Sequence, residues 1–287
     1  MKFTVDYKFI FIILLSLFFL GFNSIFGKLA LGNNHIDAFS FTFFRLFFGA
    51  LTLVLIYTYK TKNISVNLKT NWLSSFMLFL YAISFSYSFL NMEAGLGTLL
   101  LFAVVQIVMV VFSLFHKEKI NIQKVLGMFI ALFGLIYLLY PAESFELSLY
   151  HAFLMILAGI AWAIYTVLGK KSTSSLYNTM DNFRKAVVFV VIFYILFSPQ
   201  NTFFDEKGLL LAFISGSLTS AIGYVLWYEA LPKMQFITAG IIQLFIPLIA
   251  IFISVIFLDE ILTSTLLIST VLIFLGIILT IFSRKVA

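Results

Sequence analysis

The 287 residues are 62% hydrophobic and 10% charged, and 18 Lys and Arg against 12 Asp and Glu give a net charge of +6. A soluble globular domain is about half apolar and about a quarter charged, so this composition excludes a water-soluble fold and indicates a protein embedded in lipid. The chain has no cysteine, which excludes disulfides and thiolate metal sites.

Ten apolar segments of about 20 residues follow one another, each long enough to cross the ~30 Å hydrocarbon layer as an α-helix. They cover residues 8–31, 37–59, 72–92, 95–115, 121–140, 149–170, 178–197, 208–231, 235–258 and 264–283. Each is continuously apolar rather than alternating, which favours helices over strands. The first is too long for a signal-peptide core and lacks a small-residue cleavage site, so we expect it to remain as a span.

The two halves of the chain resemble each other at a constant offset of 142 residues. The matching positions are Gly27-Lys28 with Gly169-Lys170, Phe115 with Phe257, Glu118 with Glu260, Asn121 with Thr263, and Gly134 with Gly276. This repeat predicts two domains, 1–141 and 142–287, of five helices each. Because five is odd, the second domain must enter the membrane from the opposite side.

The predicted fold is therefore an all-α polytopic membrane protein with ten transmembrane helices in two inverted five-helix repeats. In secondary transporters such repeats exchange conformations around a midplane site, which is the basis of alternating access. Thirteen Lys and Arg lie in the termini and in loops on the same side as the termini, and two lie on the opposite side. This asymmetry predicts cytoplasmic termini, and it explains the positive charge without nucleic acid.

Side-chain amides occur deep inside three predicted helices: Asn23 in helix 1, Gln106 in helix 4 and Gln243 in helix 9. An amide that faced lipid would be unsatisfied, so each should face protein or a water-filled cavity. We interpret Gln106 and Gln243 as a substrate-binding pair from the two repeats and Asn23 as a cavity-lining residue. Hydrogen bonds between helices are the alternative for all three.

An aromatic set lies on predicted helices 6 and 8, and it comprises Trp162, Tyr165, Tyr224, Trp227 and Tyr228. The first three are too deep for an interfacial belt, whereas Trp227 and Tyr228 approach the cytoplasmic end and could belong to one. Tyr and Trp combine an apolar ring with one polar group, which suits amphiphilic or aromatic substrates. Simple packing is the alternative.

Arg45 and Arg184 lie inside predicted helices 2 and 7 at corresponding places in the two repeats. Snorkelling of the guanidinium to the headgroups is the preferred interpretation for both. The alternative is contact with a carboxylate or phosphate of the substrate.

Glu118 and Glu260 precede Asn121 and Thr263, which are expected to cap helices 5 and 10. We interpret both acids, together with Pro247, as structural turns or hinges rather than proton carriers. No acid lies near a predicted midplane, so the sequence does not support a buried proton relay. The three histidines lack metal-ligand spacing, and there is no Walker loop, zinc motif or nucleophile elbow, so we expect neither a cofactor nor enzyme chemistry.

Several short stretches, in this order, carry a resemblance to a known family. They are Gly21-Phe22-Asn23 with Lys28, Arg45, Glu118 after helix 4, Trp162-Ala163-Ile164-Tyr165, Pro247, and Leu258-Asp259-Glu260. Together they resemble the drug/metabolite transporter superfamily, specifically its ten-helix EamA-type members. The resemblance implies export or exchange of small metabolites, often amino acids, across the plasma membrane. It also implies a cavity between helices 1, 3, 4, 6, 8 and 9.

The sequence thus predicts a secondary transporter that exports an amino acid or similar metabolite, with a small-molecule substrate and the bilayer as its partners and one copy sufficient for transport. A multidrug or lipid-intermediate carrier is an alternative, and a non-transporting membrane sensor or scaffold is another. A sensor or scaffold is expected to carry a signalling domain or long tail, of which the sequence gives no sign. A lipid carrier should open sideways between helices, whereas a solute carrier should enclose its site from lipid.

Overall fold

A computed structural model describes residues 6–62, 71–118, 121–139, 148–257 and 264–281. These residues form ten helices, which confirms the predicted all-α fold. They are α1 (Tyr7–Gly32), α2 (Ala38–Thr61), α3 (Trp72–Ser88), α4 (Ala94–Phe115), α5 (Ile122–Leu139), α6 (Leu149–Gly169), α7 (Ser175–Phe197), α8 (Glu206–Lys233), α9 (Phe236–Phe257) and α10 (Ser264–Ile281). Six described helices (α1, α2, α4, α6, α8 and α9) are long and apolar enough to cross a membrane by length and composition.

Polar residues at the helix ends explain several boundaries. The carboxylate of Asp37 accepts the first free N–H groups of α2, from Phe39 and Ser40, at 3.0 and 2.9 Å. α3 ends at Ser88, four residues before the predicted boundary. The hydroxyl of Ser88 donates to the backbone carbonyl of His151 in α6 at 2.7 Å, which joins the end of α3 to the second repeat.

The helices pack in a two-fold pattern. α2 packs against α7, α4 against α9, and α5 against α10. α3 packs on α6 and α7 in the same way that α8 packs on α1 and α2, and the contact of α4 with α6 matches that of α9 with α1. Exchanging each helix with the one five places later leaves this pattern unchanged. With five spans per repeat, related helices run in opposite directions, as expected for an inverted repeat.

Gly134 and Gly276, which the 142-residue offset pairs, lie where α5 meets α10. A Cβ on Gly276 would stand 2.4 Å from the carbonyl oxygen of Gly127, and one on Gly134 would stand 2.8 Å from Cβ of Leu272. Glycine therefore lets the two backbones approach closely, as is usual between transmembrane helices. The predicted domain junction at residues 141 and 142 lies outside the described residues.

Two helices of the second repeat are irregular near the molecular centre. α8 contains a π-helical segment, Ser215–Ile222. α9 is interrupted at Leu244, between Phe236–Gln243 and Phe245–Phe257. Pro247 explains the interruption, because it offers no N–H to the carbonyl of Gln243 and its ring crowds that carbonyl. The action of Pro247 as a hinge stays a prediction.

Candidate functional site

A buried group of polar and aromatic side chains lies where helices of both repeats meet. We call it the central cluster, and it comprises Asn23 (α1), Arg45 (α2), Tyr81 (α3), Trp162 and Tyr165 (α6), Ser220 and Tyr224 (α8), and Gln243 (α9). Each of these side chains is at most 5% exposed. The cluster is therefore closed to both faces of the protein and to the surface that would face lipid.

The aromatic part of the cluster is organised around Trp162. Its ring centroid lies 4.8 Å from that of Tyr224 and 5.1 Å from that of Tyr81, and Tyr165 is 5.8 Å away. All of these pairs are tilted, a favourable geometry for aromatic rings. The depth predicted for Trp162, Tyr165 and Tyr224 agrees with their place here, and α3 adds Tyr81.

Gln243 links α9 to this aromatic group. The indole N–H of Trp162 donates to Oε1 of Gln243 at 2.7 Å, and Nε2 of Gln243 donates to the carbonyl of Ala239 at 3.2 Å. Both ends of the amide are thus satisfied. The interruption of α9 begins one residue later, so Gln243 is the last residue of the first half of α9.

Arg45 is 1% exposed, so the preferred interpretation of snorkelling does not hold for this residue. Its Nε donates to the hydroxyl of Ser220 at 3.0 Å, and Nη2 donates to the hydroxyls of Tyr81 and Tyr224 at 3.1 and 3.0 Å. Gly216 brings the backbone of α8 close to that of α2, because a Cβ there would be only 2.2 Å from the Arg45 carbonyl oxygen. The three hydrogen bonds hold the guanidinium inside the protein rather than at the headgroups.

Arg184 does not join the central cluster. It is half-buried on α7, whereas its neighbour Lys185 is buried and forms an ion pair with Asp181 at 2.7 Å. The two arginines that the sequence placed at corresponding depths therefore have different surroundings. Only Arg45 lies inside the protein beside the aromatic group.

Asn23 contacts the π-helical segment of α8. Its Oδ1 accepts hydrogen bonds from the hydroxyls of Ser215, Thr219 and Ser220 at 2.6, 3.2 and 3.4 Å. Irregular π turns are frequent at functional sites, and here the segment brings three hydroxyls to one oxygen. Asn23 therefore makes the interhelical hydrogen bonds of the alternative interpretation and also adjoins the central cluster through Ser220.

Gln106 and Trp227 are buried outside the central cluster. Gln106 lies against α9, where a Cβ on Gly240 would be 2.7 Å from its Oε1, and neither amide atom has a hydrogen-bond partner among the described residues. Trp227 is 0% and Tyr228 is 3% exposed, so neither ring lies in an interfacial belt. The ring of Tyr228 packs edge-on against Tyr165 at 5.2 Å.

The sequence interpretation missed Tyr81 and Ser220. Both lie in stretches that are unusually polar for their helices: a run of serines and tyrosines from 81 to 88 in α3, and the hydroxyl-rich run from 215 to 220 in α8. A polar side chain inside a membrane helix normally faces protein, so these runs were the available signal.

At one face, Glu118 joins the two repeats through what we call the Glu118 latch. Its carboxylate accepts the backbone N–H of Phe236, at the N-terminus of α9, at 2.9 and 3.0 Å. It also accepts the hydroxyl of Ser113 at 2.7 Å and the ammonium of Lys170, at the end of α6, at 3.2 Å. Burial alone would raise the pKa of Glu118, but the Phe236 N–H, the Ser113 hydroxyl and Lys170 outweigh burial and lower it.

This geometry changes the interpretation of Glu118 in one respect. The acid stabilises a helix N-terminus, as expected, but the helix is α9 rather than the adjacent α5. Asn121 does cap α5, since its Oδ1 accepts the N–H of Gln123 at 3.0 Å. Glu260, the counterpart of Glu118, lies outside the described residues.

At the opposite face, two loops form what we call the loop bridge. Residues 35–37, between α1 and α2, pair with residues 203–205, between α7 and α8, through an antiparallel bridge of Ile36 with Phe204. Nδ1 of His35 lies 2.6 Å from Oδ2 of Asp205. The Gly208 N–H and the His35 side chain lower the pKa of Asp205. Both faces are thus closed by contacts between the repeats.

The described residues contain no group of three or more His, Asp or Glu that could hold a metal ion.

Comparison with known proteins identifies the fold independently. The model of the EamA-like transporter family matches residues 7–140 and again 149–282. An uncharacterised protein of Pseudomonas aeruginosa is 38% identical over 228 residues, covering 79% of this chain and 78% of that protein. An uncharacterised transporter of Bacillus subtilis, YoaV, is 24% identical over 232 residues, covering 77% and 79%.

A crystal structure of another protein superposes with a TM-score of 0.73 over 93% of this chain and 98% of that chain, at 17% identity, which supports the fold alone. Two family matches that together span nearly the whole chain identify a transporter rather than an enzyme. The chain therefore belongs to the EamA-like transporter family, within the drug/metabolite transporter superfamily, as a multi-pass membrane protein with two EamA domains.

Proposed function

We propose that this transporter moves a small metabolite, an amino acid or a similar solute, out of the cell or in exchange across the plasma membrane by alternating access. The observation that carries the proposal is the central cluster: polar and aromatic groups from both repeats meet deep inside the protein, each at most 5% exposed. Such a site, between symmetry-related bundles, is where secondary transporters bind their substrates. We expect one copy of the chain to suffice for transport.

Enclosure of the cluster favours a solute over a lipid. A lipid carrier needs a sideways opening between helices, through which an acyl chain can extend into the bilayer. The rings of Trp162, Tyr165 and Tyr224 are instead covered on all sides by neighbouring helices. Aromatic faces beside a few hydrogen-bonding groups suit a small molecule with an apolar body and a polar end.

The contacts at the two faces support alternating access. The Glu118 latch joins Glu118 of the first repeat to Lys170 and Phe236 of the second, and the loop bridge joins His35 of the first repeat to Asp205 of the second. A transporter that exposes its site to one side at a time needs such contacts to break in turn. An occluded intermediate of that cycle should have both contacts formed, as the described conformation does.

The positive residues of the loops support an orientation with both termini in the cytoplasm. In that orientation the Glu118 latch faces the cytoplasm and the loop bridge faces outward. Epitope tags at the two termini are tested for protease access in intact and permeabilised cells. Both should be protected in intact cells and digested after permeabilisation. Digestion of either tag in intact cells would contradict the orientation.

Transport itself is tested with purified protein in proteoliposomes that are preloaded one at a time with labelled amino acids and chemically similar metabolites. We expect at least one solute to leave faster than from protein-free liposomes, and Trp162→Ala to abolish the difference because it removes the centre of the aromatic group. Failure of every solute in a broad panel to move in either direction would refute the proposed function. Equal efflux by the Trp162→Ala protein would instead refute the proposed site.

A further inference from the structure

Arg45 carries a charge that the central cluster leaves uncompensated. A guanidinium stays protonated in proteins, and transfer of a cation out of water is costly unless a partner compensates it. The described ion pairs bring Glu118 to Lys170, Asp181 to Lys185 and Asp205 to His35, and none of the described carboxylates pairs with Arg45.

Aromatic faces and neutral hydroxyls supply only part of the compensation. The guanidinium carbon lies 5.3 Å from the ring centroid of Tyr81 and 5.0 Å from that of Phe85, within the range of cation–π attraction. Its neutral hydrogen-bond partners are Ser220, Tyr81 and Tyr224. These contacts hold the guanidinium in place but bring no negative charge.

Part of the guanidinium has no partner at all within the described part of the chain. Nη1, which carries two N–H groups, is buried without a hydrogen-bond acceptor, although Nε and Nη2 are both bonded. Nδ2 of Asn23 is a second buried donor without an acceptor, and Asn23 adjoins Arg45 because the Ser220 hydroxyl contacts both side chains. A guanidinium can only donate, so the group that completes this site must be an acceptor.

We infer that Arg45 binds the carboxylate of the transported solute, and this inference rests on the proposed function. A carboxylate only accepts hydrogen bonds, and it brings the single negative charge that one guanidinium requires. Such bonds are among the strongest in proteins when the surroundings are dry. The rest of the solute then contacts the rings of Trp162 and Tyr224, whose faces accommodate an apolar body or, in a zwitterion, an ammonium group.

The first experiment uses the unmodified protein in detergent and matched ligand pairs. Phenylalanine, leucine and glutamine are each compared with the corresponding α-carboxamide, by thermal shift and by equilibrium binding. We expect at least one acid to bind and its amide to bind about 10- to 100-fold more weakly, the range for loss of a hydrogen bond to a charged group. An amide that binds as tightly as its acid would overturn the inference while leaving the proposed function intact.

The second experiment assigns the effect to one residue. Arg45→Gln should lower the affinity for the acid to that for the amide, and Arg45→Lys, which keeps the charge but not the planar fork, should be intermediate. Arg184→Gln is the control, because that arginine lies outside the central cluster and should leave the acid-to-amide ratio unchanged. A monodisperse Arg45→Gln protein with the unmodified ratio would overturn the assignment.

The two proposals fail in different ways. If neutral solutes cross the proteoliposome membrane and acids bind no more tightly than their amides, only the role of Arg45 is wrong. If no acid, amide or other solute binds or moves, the proposed function fails and the role of Arg45 fails with it. Where Arg45→Gln does not yield folded protein, Arg45→Lys and the ligand pairs on unmodified protein still test whether Arg45 binds the carboxylate.

Discussion

Removing the charge of Glu118 should open the face that the Glu118 latch closes. In Glu118→Gln the side chain keeps its size, but its amide can accept less strongly from the Phe236 N–H, the Ser113 hydroxyl and the Lys170 ammonium. The amide also places an NH₂ group, which can only donate, beside these three donors. The side chain of Glu118 is 11% exposed, so water screens these contacts in part. In the open state the side chain at position 118 is hydrated whether it is Glu or Gln. The substitution therefore destabilises the closed state alone.

The size of the effect follows from the three kinds of partner. A hydrogen bond to a charged group contributes about 1 kcal/mol more than one between neutral groups. Three such bonds give a shift of roughly 2–3 kcal/mol toward the open state. At 1.36 kcal/mol per factor of ten, the open population should rise about 30- to 150-fold.

The absence of native cysteine makes this shift directly measurable. Met109 is 0% exposed and lies on α4 beside Gly240 of α9, the helix whose N-terminus Glu118 binds, so Met109→Cys reports opening of this face to a membrane-impermeant thiol reagent. We expect Met109→Cys to be labelled slowly in the parent protein and about 30- to 150-fold faster when Glu118→Gln is also present. Glu229→Gln, an equal charge change at an exposed site on α8, should leave the rate unchanged. Equal rates in all three proteins would refute the role of the Glu118 latch.

Three further expectations concern the same contacts. Since the pKa of Glu118 is lowered in the closed state, the latch is stabilised above the ordinary glutamate pKa of about 4.3 and weakens only as pH falls below it. The labelling rate of Met109→Cys, divided at each pH by the rate for a fully exposed cysteine, should thus be flat from about pH 8 to about pH 5.5, because this ratio removes the loss of thiolate at low pH. Gly216→Ala puts a methyl group 2.2 Å from the Arg45 carbonyl, so unfolding in detergent should cost about 1–3 kcal/mol less. A cysteine pair replacing His35 and Asp205, where Asp205 N donates to His35 O at 2.8 Å, should abolish transport when oxidised and restore it on reduction.

Each expectation has a direct control. Gly32→Ala introduces the same methyl group where it meets only the flexible end of the Lys28 side chain, so its melting temperature should stay near that of the parent. A normalised labelling rate that rises steadily as pH falls from 8 to 5.5 would show that another group titrates at the latch. Undiminished transport by the oxidised cysteine pair would mean that the loop bridge does not open during the cycle.

The sequence predicted most helix boundaries because polar residues end the apolar runs sharply. α1, α4 and α6 lie within one residue of their predicted limits. The end of α3 was missed because the residues after Ser88 are still apolar, including Phe89 and Met92, and hydropathy does not register the hydrogen bond that ends the helix. The π-helical segment of α8 was not predicted either, because hydropathy does not distinguish π-helical from α-helical turns.

The central cluster was predicted in part. Depth and residue type led to Asn23, Trp162 and Tyr224 because buried polar groups and large rings are rare at such positions. The direction of a side chain is harder to predict when a helix is apolar on every side, because no amphipathic period marks the face that meets protein. Arg45 was assigned to the headgroups for this reason, and Tyr81 was overlooked.

Three helices, α2, α4 and α5, pack on their own counterparts α7, α9 and α10. These are the contacts that two copies of a five-helix chain would make across their shared axis in an antiparallel homodimer. In such a homodimer every group near the axis would occur twice. A buried guanidinium without a carboxylate partner would therefore be accompanied by a second such guanidinium. Fusion into one chain removes that constraint. One half supplies the cation of Arg45 while the other supplies the indole of Trp162, so the two halves of one cluster carry different chemical groups.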